Sequence, residues 1–256
     1  MSIGTALVTG ASSGIGRSLA EELARRGWTI VLVSRDQEAL SALREALPGG
    51  GHSTLVADLE TDEGMDVVGA RLADQTEPIA LFVHAAGLGT TAPFPDAPLA
   101  EEEAMLRVNV LSTLRLSHVA AAAMSQRRAG GIVLVASTAA YWSAGTYAAS
   151  KSWVLTTGLG LRARLAPSGV RVVVVAPGFT RTQFHARSGT DASGVRPWMW
   201  LDPNEVARET IDGLESDAGV VIPGHRYRAL VEAVRHLPPG GRAAVLRRLA
   251  PLRSAD

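Results

Sequence analysis

Seven short runs dense in β-branched and aliphatic residues recur along the chain: Thr5–Thr9, Thr29–Ser34, Ser53–Ala57, Ile79–His84, Gly131–Ser137, Arg171–Ala176 and Gly219–Ile222. Most are apolar at nearly every position. That is the pattern of parallel strands covered on both faces, not the alternation of a half-wet sheet. Between them lie segments with helical spacing: Gly14–Arg26, Asp36–Leu47, residues 62–75, 99–127 and 147–166, and Pro203–Ser216. Strand–helix alternation repeated this often predicts an α/β fold, a doubly wound parallel sheet with helices on both faces. No internal repeat or linker divides the chain, so residues 1–256 read as a single domain. Residues 186–202 are rich in Gly, Ser, Asp and Trp without periodicity and read as a mobile loop. Pro238–Gly241 sets off a last Arg/Leu/Ala segment, so 224–256 reads as a C-terminal helical extension.

Composition narrows the class of function. A formal net charge of zero argues against nucleic-acid or anionic-membrane binding. The absence of Cys excludes disulfides and thiolate catalysis. No set of ligands stands at metal-binding spacing, so no metal is expected. The N-terminus has no basic region ahead of a long apolar stretch, and a signal peptide is not expected. Residues 129–150 are 22 consecutive uncharged positions, long enough to span a bilayer, but their hydroxyls and glycines read better as a strand, a loop and a helix start. A soluble cytoplasmic protein is the expectation. One count stands out: of 25 basic residues only Lys151 is a lysine. Arg and Lys differ at a site, which makes Lys151 a candidate for a role that Arg does not fill.

The first strand runs into Thr9-Gly10-Ala11-Ser12-Ser13-Gly14-Ile15-Gly16 and then a helix. Such a turn lets backbone N–H groups at a helix start face a pyrophosphate. The alternative is a Gly-rich strand–helix turn without a ligand. The second strand ends at Ser34, where an NAD site usually places a carboxylate, and Arg35 follows. Arg35 suits a 2′-phosphate, which favours NADP(H) and leaves NAD(H) possible. Alternatively, Arg35 is a solvated charge beside an N-cap at Asp36. Tyr147 and Lys151 stand at i and i+4, on one face of a helix. A neighbouring ammonium is expected to draw the phenol down from its usual pKa near 10 toward a range useful for proton transfer. Taken alone, the pair is also a common helix feature.

The Gly-x-x-x-Gly-x-Gly loop with Thr9 before it, together with the Tyr147/Lys151 pair, resembles the short-chain dehydrogenase/reductase family, bacterial ketoacyl and carbonyl reductases in particular. The likeness runs from about residue 5 to 182, and the strand–helix pattern carries it to about 223. It implies a single-domain Rossmann fold with a seven-stranded parallel sheet. It implies catalytic roles for Asn109, Ser137, Tyr147 and Lys151. It also implies cofactor contacts at Gly10, Ser12, Ser13, Gly14, Ile15, Gly16, Arg35, Asp58, Leu59, Ala86, Gly87, Asn109, Tyr147, Lys151, Pro177, Gly178, Thr180 and Thr182. The chain departs from the family in reading His84-Ala85-Ala86-Gly87 where Asn-Asn-Ala-Gly is common, and His84 is a candidate to replace one Asn. It departs again in the short interval from Ser137 to Tyr147, which leaves Thr138 as the alternative hydroxyl. Thr90, Phe94, Trp142, Phe184, Trp198 and Trp200 are candidate substrate residues. The paired Trp and Met199 suggest an apolar lid over 179–202, or else an anchor to the sheet. The expected activity is NADPH-dependent reduction of a small apolar ketone or 3-ketoacyl group to a secondary alcohol. An NAD-dependent alcohol or hydroxysteroid dehydrogenase and a non-catalytic cofactor sensor are the alternatives. The long helices 99–127 and 147–166 resemble the family's intersubunit bundle, so a homodimer is expected, with a tetramer possible.

Overall fold

A computed structural model describes the chain except for residues 1, 2, 143, 144, 189, 192, 193, 239, 242–244, 246–252, 255 and 256; for 187, 190, 191, 253 and 254 it describes the backbone only. Seven strands form one parallel sheet: β1 (Thr5–Thr9), β2 (Thr29–Ser34), β3 (Ser53–Val56), β4 (Ile79–His84), β5 (Gly130–Val135), β6 (Val170–Val175) and β7 (Val220–Val221). Their spatial order is β3-β2-β1-β4-β5-β6-β7, with parallel pairing throughout. The chain reverses its direction of travel across the sheet between β1 and β4. Open parallel sheets place their ligand crevice at such a reversal, at the carboxyl ends of the strands.

The continuous apolar runs are explained by the two layers. In β1, Leu7 packs into one core while Ala6 and Val8 face the other; in β6, Val172 and Val174 divide from Val173 and Val175 in the same way. The first core is closed by α3 (Asp62–Ala73), α5 (Ser112–Arg127) and α6 (Gly145–Leu165), and the second by α1 (Gly14–Arg25), α2 (Gln37–Ala46) and α8 (Pro203–Glu215). Side-chain caps start several helices: Asp36 accepts from Ala39 N, Thr61 from Gly64 N and Asp202 from Asn204 N. Among the described residues no helix is long and apolar enough to cross a membrane, and 129–150 divide into β5, a 3₁₀ turn and the start of α6.

Three expectations change. The helix expected over 99–127 is α4 (Leu99–Leu106), a π turn (Arg107–Leu111) and α5. Single π turns inside α-helices often mark functional sites. The fifth strand stops at Val135, because the Ser137 hydroxyl accepts from Ala139 N and turns the chain into the 3₁₀ segment Thr138–Tyr141. The irregular stretch after β6 holds a one-turn helix α7 (Phe184–Arg187) and a 3₁₀ turn (Pro197–Met199), and the C-terminal segment begins with α9 (His225–Arg235). Residues 189, 192 and 193 of the expected lid, and most of the extension after 238, lie outside the described residues.

Candidate active site

The phosphate loop leaves β1 through Gly10, whose φ of +67° suits glycine, and closes so tightly that a Cβ on Gly16 would stand 2.3 Å from the Gly10 carbonyl oxygen. No acidic residue occupies the first turn of α1, and the Ser13 side chain makes no capping bond there. The helix start therefore presents amides and dipole to an anion. Thr182 reaches the same loop, its side chain lying 3.2 Å from where a Gly14 Cβ would be. This cradle, lined by backbone and lacking negative charge, fits the pyrophosphate of a dinucleotide.

The neighbouring turn after β4 is held by a buried relay. Thr9 Oγ1 accepts from the amides of Ala85 (3.1 Å) and Ala86 (3.2 Å), so its own proton goes to His84 Nδ1 at 2.9 Å. Ser112 Oγ donates to Val108 O at 2.6 Å and so accepts from His84 Nε2 at 3.0 Å. This accounting assigns His84 the neutral tautomer protonated at Nε2. Burial, reinforced by the Lys151 charge, holds its pKa down to about 3. His84 thus joins β1, β4 and the start of α5, a structural role.

The π turn directs Asn109 inward. Its Oδ1 accepts from Leu88 N (2.9 Å), and its Nδ2 donates to Leu88 O (2.9 Å) and Ser150 Oγ (3.0 Å). Lys151 Nζ donates to Val135 O at 3.1 Å. Asn109 Oδ1 and Lys151 Nζ both flank Gly87, at 3.3 and 3.1 Å from an ideal Cβ there. Lys151 Nζ lies 5.8 Å from the centroid of the Tyr147 ring, and the Ser137 hydroxyl is near enough to the phenol to favour its ionised form. The fold therefore brings Asn109 and Lys151 together beside Gly87, with Tyr147 next to Lys151 and Ser137, rather than Thr138, influencing the phenol.

The protonation expectation is corrected by burial. Desolvation pushes Tyr147 up to about 12 against the opposing Ser137 hydrogen bond, and lowers Lys151 to about 8. In the chain alone, withdrawal from water outweighs the opposing influence of Ser137 on the phenol. Tyr147 stays a protonated phenol at neutral pH.

Other candidates divide. Phe184 stacks at 5.7 Å on Tyr147 and approaches Gly89 from above, with its ring 3.3 Å from an ideal Cβ. Trp200 packs against Phe179 (5.9 Å) and His185 (5.2 Å). Phe94 and Trp198 face outward, 62% and 42% exposed, and the Trp198 ring lies under Arg226 of α9; neither belongs to an apolar inner surface. Trp142 is buried rather than open to a pocket mouth. Thr90 donates to Ala92 O within its own loop. Thr180 is turned inward and donates to Gly178 O, and Leu59 is part of the core. Asp58 accepts from Glu60 N and does not cap α3, where Thr61 does so. Arg35 donates to Glu60 at 2.7 Å.

The sequence reading missed Tyr227 on α9. Its hydroxyl donates to Met199 O (2.8 Å) and accepts from Phe179 N (3.0 Å). Its ring lies 2.0 Å from where a Gly178 Cβ would be. It ties the Pro177–Gly178 segment to the turn at Pro197–Met199. No motif marks it, because its partners are 28 to 49 positions away in sequence.

Comparison with known proteins accounts for this arrangement. The family model for short chain dehydrogenases matches residues 4–193. Serine 3-dehydrogenase of Rhizobium radiobacter is 32% identical over 185 residues, 71% of this chain and 74% of the relative. A short-chain dehydrogenase from Sphingobium yanoikuyae, solved in complex with NADPH, superposes with a TM-score of 0.84 over 99% of both chains at 30% identity. The bulky-bulky ketone specific alcohol dehydrogenase from Comamonas testosteroni superposes at 0.79, covering 91% of this chain and 92% of that one at 30% identity. The chain belongs to the short-chain dehydrogenase/reductase family and is an oxidoreductase built to bind a nicotinamide cofactor.

Proposed function

We propose that the chain reduces a small apolar ketone or 3-ketoacyl group to a secondary alcohol with NADPH, and that Tyr147 is its general acid. The carrying observation is that Lys151 stands beside Asn109 at Gly87 and beside the Tyr147 ring, with Ser137 influencing the phenol. A bound reduced nicotinamide supplies the hydride that the carbonyl carbon receives. Ser137 and Tyr147 hold the carbonyl oxygen by hydrogen bonds. As the C=O π pair moves onto that oxygen, Tyr147 Oη gives up its proton to it. Lys151, an ammonium below its pKa of about 8, stabilises the phenolate that remains. Asn109 fixes the π turn and the Leu88 backbone that frame this slot. A phenol that keeps its proton at neutral pH is in the form that donates to a carbonyl oxygen.

Phe184, stacked on Tyr147, and the Trp200–His185–Phe179 group behind it favour an apolar substrate. The bulky ketones in the name of the Comamonas relative are a first panel to try. We also read the assembly as a cytoplasmic homodimer formed through the face where Leu106, Leu114 and Leu159 are exposed on α4, α5 and α6, with a light-scattering mass as its test.

The deciding experiment is consumption of NADPH against a panel of ketones. Tyr147→Phe is expected to lower kcat by about 10²–10⁴-fold. Lys151→Arg is expected to impair turnover despite keeping the charge. Wild-type kcat/KM is expected to fall as the pH rises through about 8, where Lys151 loses its proton. No turnover of any ketone, or unchanged turnover in Tyr147→Phe, refutes the proposal.

A further inference from the structure

The end of β2 is where a dinucleotide presents its adenosine ribose, and there the chain has Ser34 followed by Arg35. Beside Asp36, which caps the following helix, the structure brings in carboxylates from another strand's loop. Arg35 NH1 donates to Glu60 Oε1 at 2.7 Å and lies 3.7 Å from Asp58 Oδ2, both from the loop after β3. Glu60 is not a loosely swinging charge. Its amide is tied to Asp58 Oδ1 at 3.0 Å, and its carbonyl accepts from Arg107 Nε at 2.6 Å. Arg107 in turn is paired with Asp62 at 2.7 Å. The backbone that carries Glu60 is therefore pinned from two sides, independently of the Glu60 side chain.

We propose that Glu60 is a specificity-determining residue that restrains the preference for NADPH and keeps NADH usable. This rests on the reading that Arg35 faces the cofactor's 2′ position. Arg35 presents one cation against two carboxylates, Asp58 and Glu60, so the cluster as a whole repels a dianionic 2′-phosphate. Part of the guanidinium fork is committed to Glu60 before any cofactor arrives, and a phosphate must share it. An unphosphorylated ribose meets no such conflict, and a carboxylate at this end of the sheet is the group that ordinarily accepts from ribose hydroxyls. Here the carboxylate comes from the third strand's loop instead of the second strand's end.

The substitution Glu60→Gln keeps shape and a hydrogen-bonding carbonyl for Arg35 while removing the charge. Removing one negative charge beside a dianion at a solvent-facing site is expected to tighten NADPH by roughly tenfold, and NADH by less than about twofold. The measurement is a fluorescence titration of the apoprotein with each nucleotide, needing no substrate, for wild type, Glu60→Gln and Arg35→Gln. Thermal midpoints of the variants without nucleotide confirm that they are folded. An NADPH:NADH affinity ratio that rises in Glu60→Gln and falls in Arg35→Gln supports the proposal. A ratio that falls in Arg35→Gln but is unchanged or lower in Glu60→Gln overturns the role of Glu60 alone. A ratio unchanged in Arg35→Gln overturns the placement of Arg35 and this inference with it.

Discussion

Replacing Thr9 by Val tests whether the His84 relay holds the cofactor side of the sheet together. The two side chains are nearly isosteric, so the substitution removes a hydroxyl from a fully buried site without opening a cavity. Three partners lose their counterpart at once: the amides of Ala85 and Ala86, and His84 Nδ1. A buried polar group left unpaired costs about 1–3 kcal/mol. The two amides sit on partly exposed residues at bond lengths of 3.1 and 3.2 Å, so each belongs at the low end, near ~1 kcal/mol. His84 Nδ1 is enclosed and has no route to water, which adds ~1–2 kcal/mol. The sum is a loss of about 3 kcal/mol, or a fall in Tm of roughly 6–12 °C for a chain of this size. Urea unfolding followed by fluorescence and circular dichroism gives the value, coincident transitions of equal m establishing two-state behaviour. Thr210→Val is the control: Thr210 is equally buried but bonds only the Val206 carbonyl of its own helix, and its loss is expected to stay within about 1 kcal/mol. If the two variants lose the same stability to within about 0.5 kcal/mol, the relay contributes nothing beyond a single hydroxyl and the reasoning fails.

The same relay gives a pH dependence of defined sign. His84 is held at about 3 in the folded chain against 6.5 for a free imidazole, so between those values the unfolded chain binds more protons and stability rises with pH. His84's contribution is intact above 6.5 and is lost as the pH falls toward 3, with a slope of up to about 1.4 kcal/mol per pH unit. His84→Gln is expected to flatten urea midpoints between pH 7 and pH 5 relative to wild type, and identical slopes would exclude the assignment. Tyr227→Phe keeps the ring against Gly178 but unpairs Phe179 N–H and Met199 O. A destabilisation of about 2 kcal/mol is expected from thermal unfolding, with the substrate's KM raised and the cofactor's Kd unchanged; an unaltered KM would mean that Tyr227 supports the fold alone.

The layers of this fold were legible because continuous apolar runs fit a strand between two helical layers, and the cap expected at Asp36 marks a helix start in the residues themselves, whereas the caps at Thr61 and Asp202 emerged only from the structure. The reacting group was legible for a different reason: Tyr147 and Lys151 are close in sequence, and the four-residue helical period brings them together. What escaped depends on pairs far apart in the chain. The Arg35–Glu60 bond spans 25 positions and Tyr227–Phe179 spans 48. The π turn at Arg107–Leu111 is invisible to a periodicity that tolerates one extra residue per turn. Apolar identity did not foretell the exposure of Phe94 and Trp198. Neighbouring positions of an irregular segment point in different directions, so Met199 is buried while Trp198 beside it faces water.

The single lysine shows how the two kinds of information combine. Among the described residues, many of the arginines meet carboxylates and carbonyls at the surface, as Arg26 does with Glu22, Asp212 and Glu215. There a broad, planar, permanently charged fork is an advantage. Lys151 is 4% exposed, and its Nζ lies within 3.1 Å of both the Val135 carbonyl oxygen and the point a Gly87 side chain would occupy. A slot where even a Cβ on Gly87 would crowd the ammonium favours a compact cation over a branched guanidinium. It also demands a cation whose charge burial can tune, and at about 8 the ammonium has been brought within reach of neutral pH, a shift that an arginine does not undergo. Composition singled out the residue; the geometry of Gly87, Asn109 and Val135 supplies the reason that one lysine persists in a chain otherwise furnished with arginine.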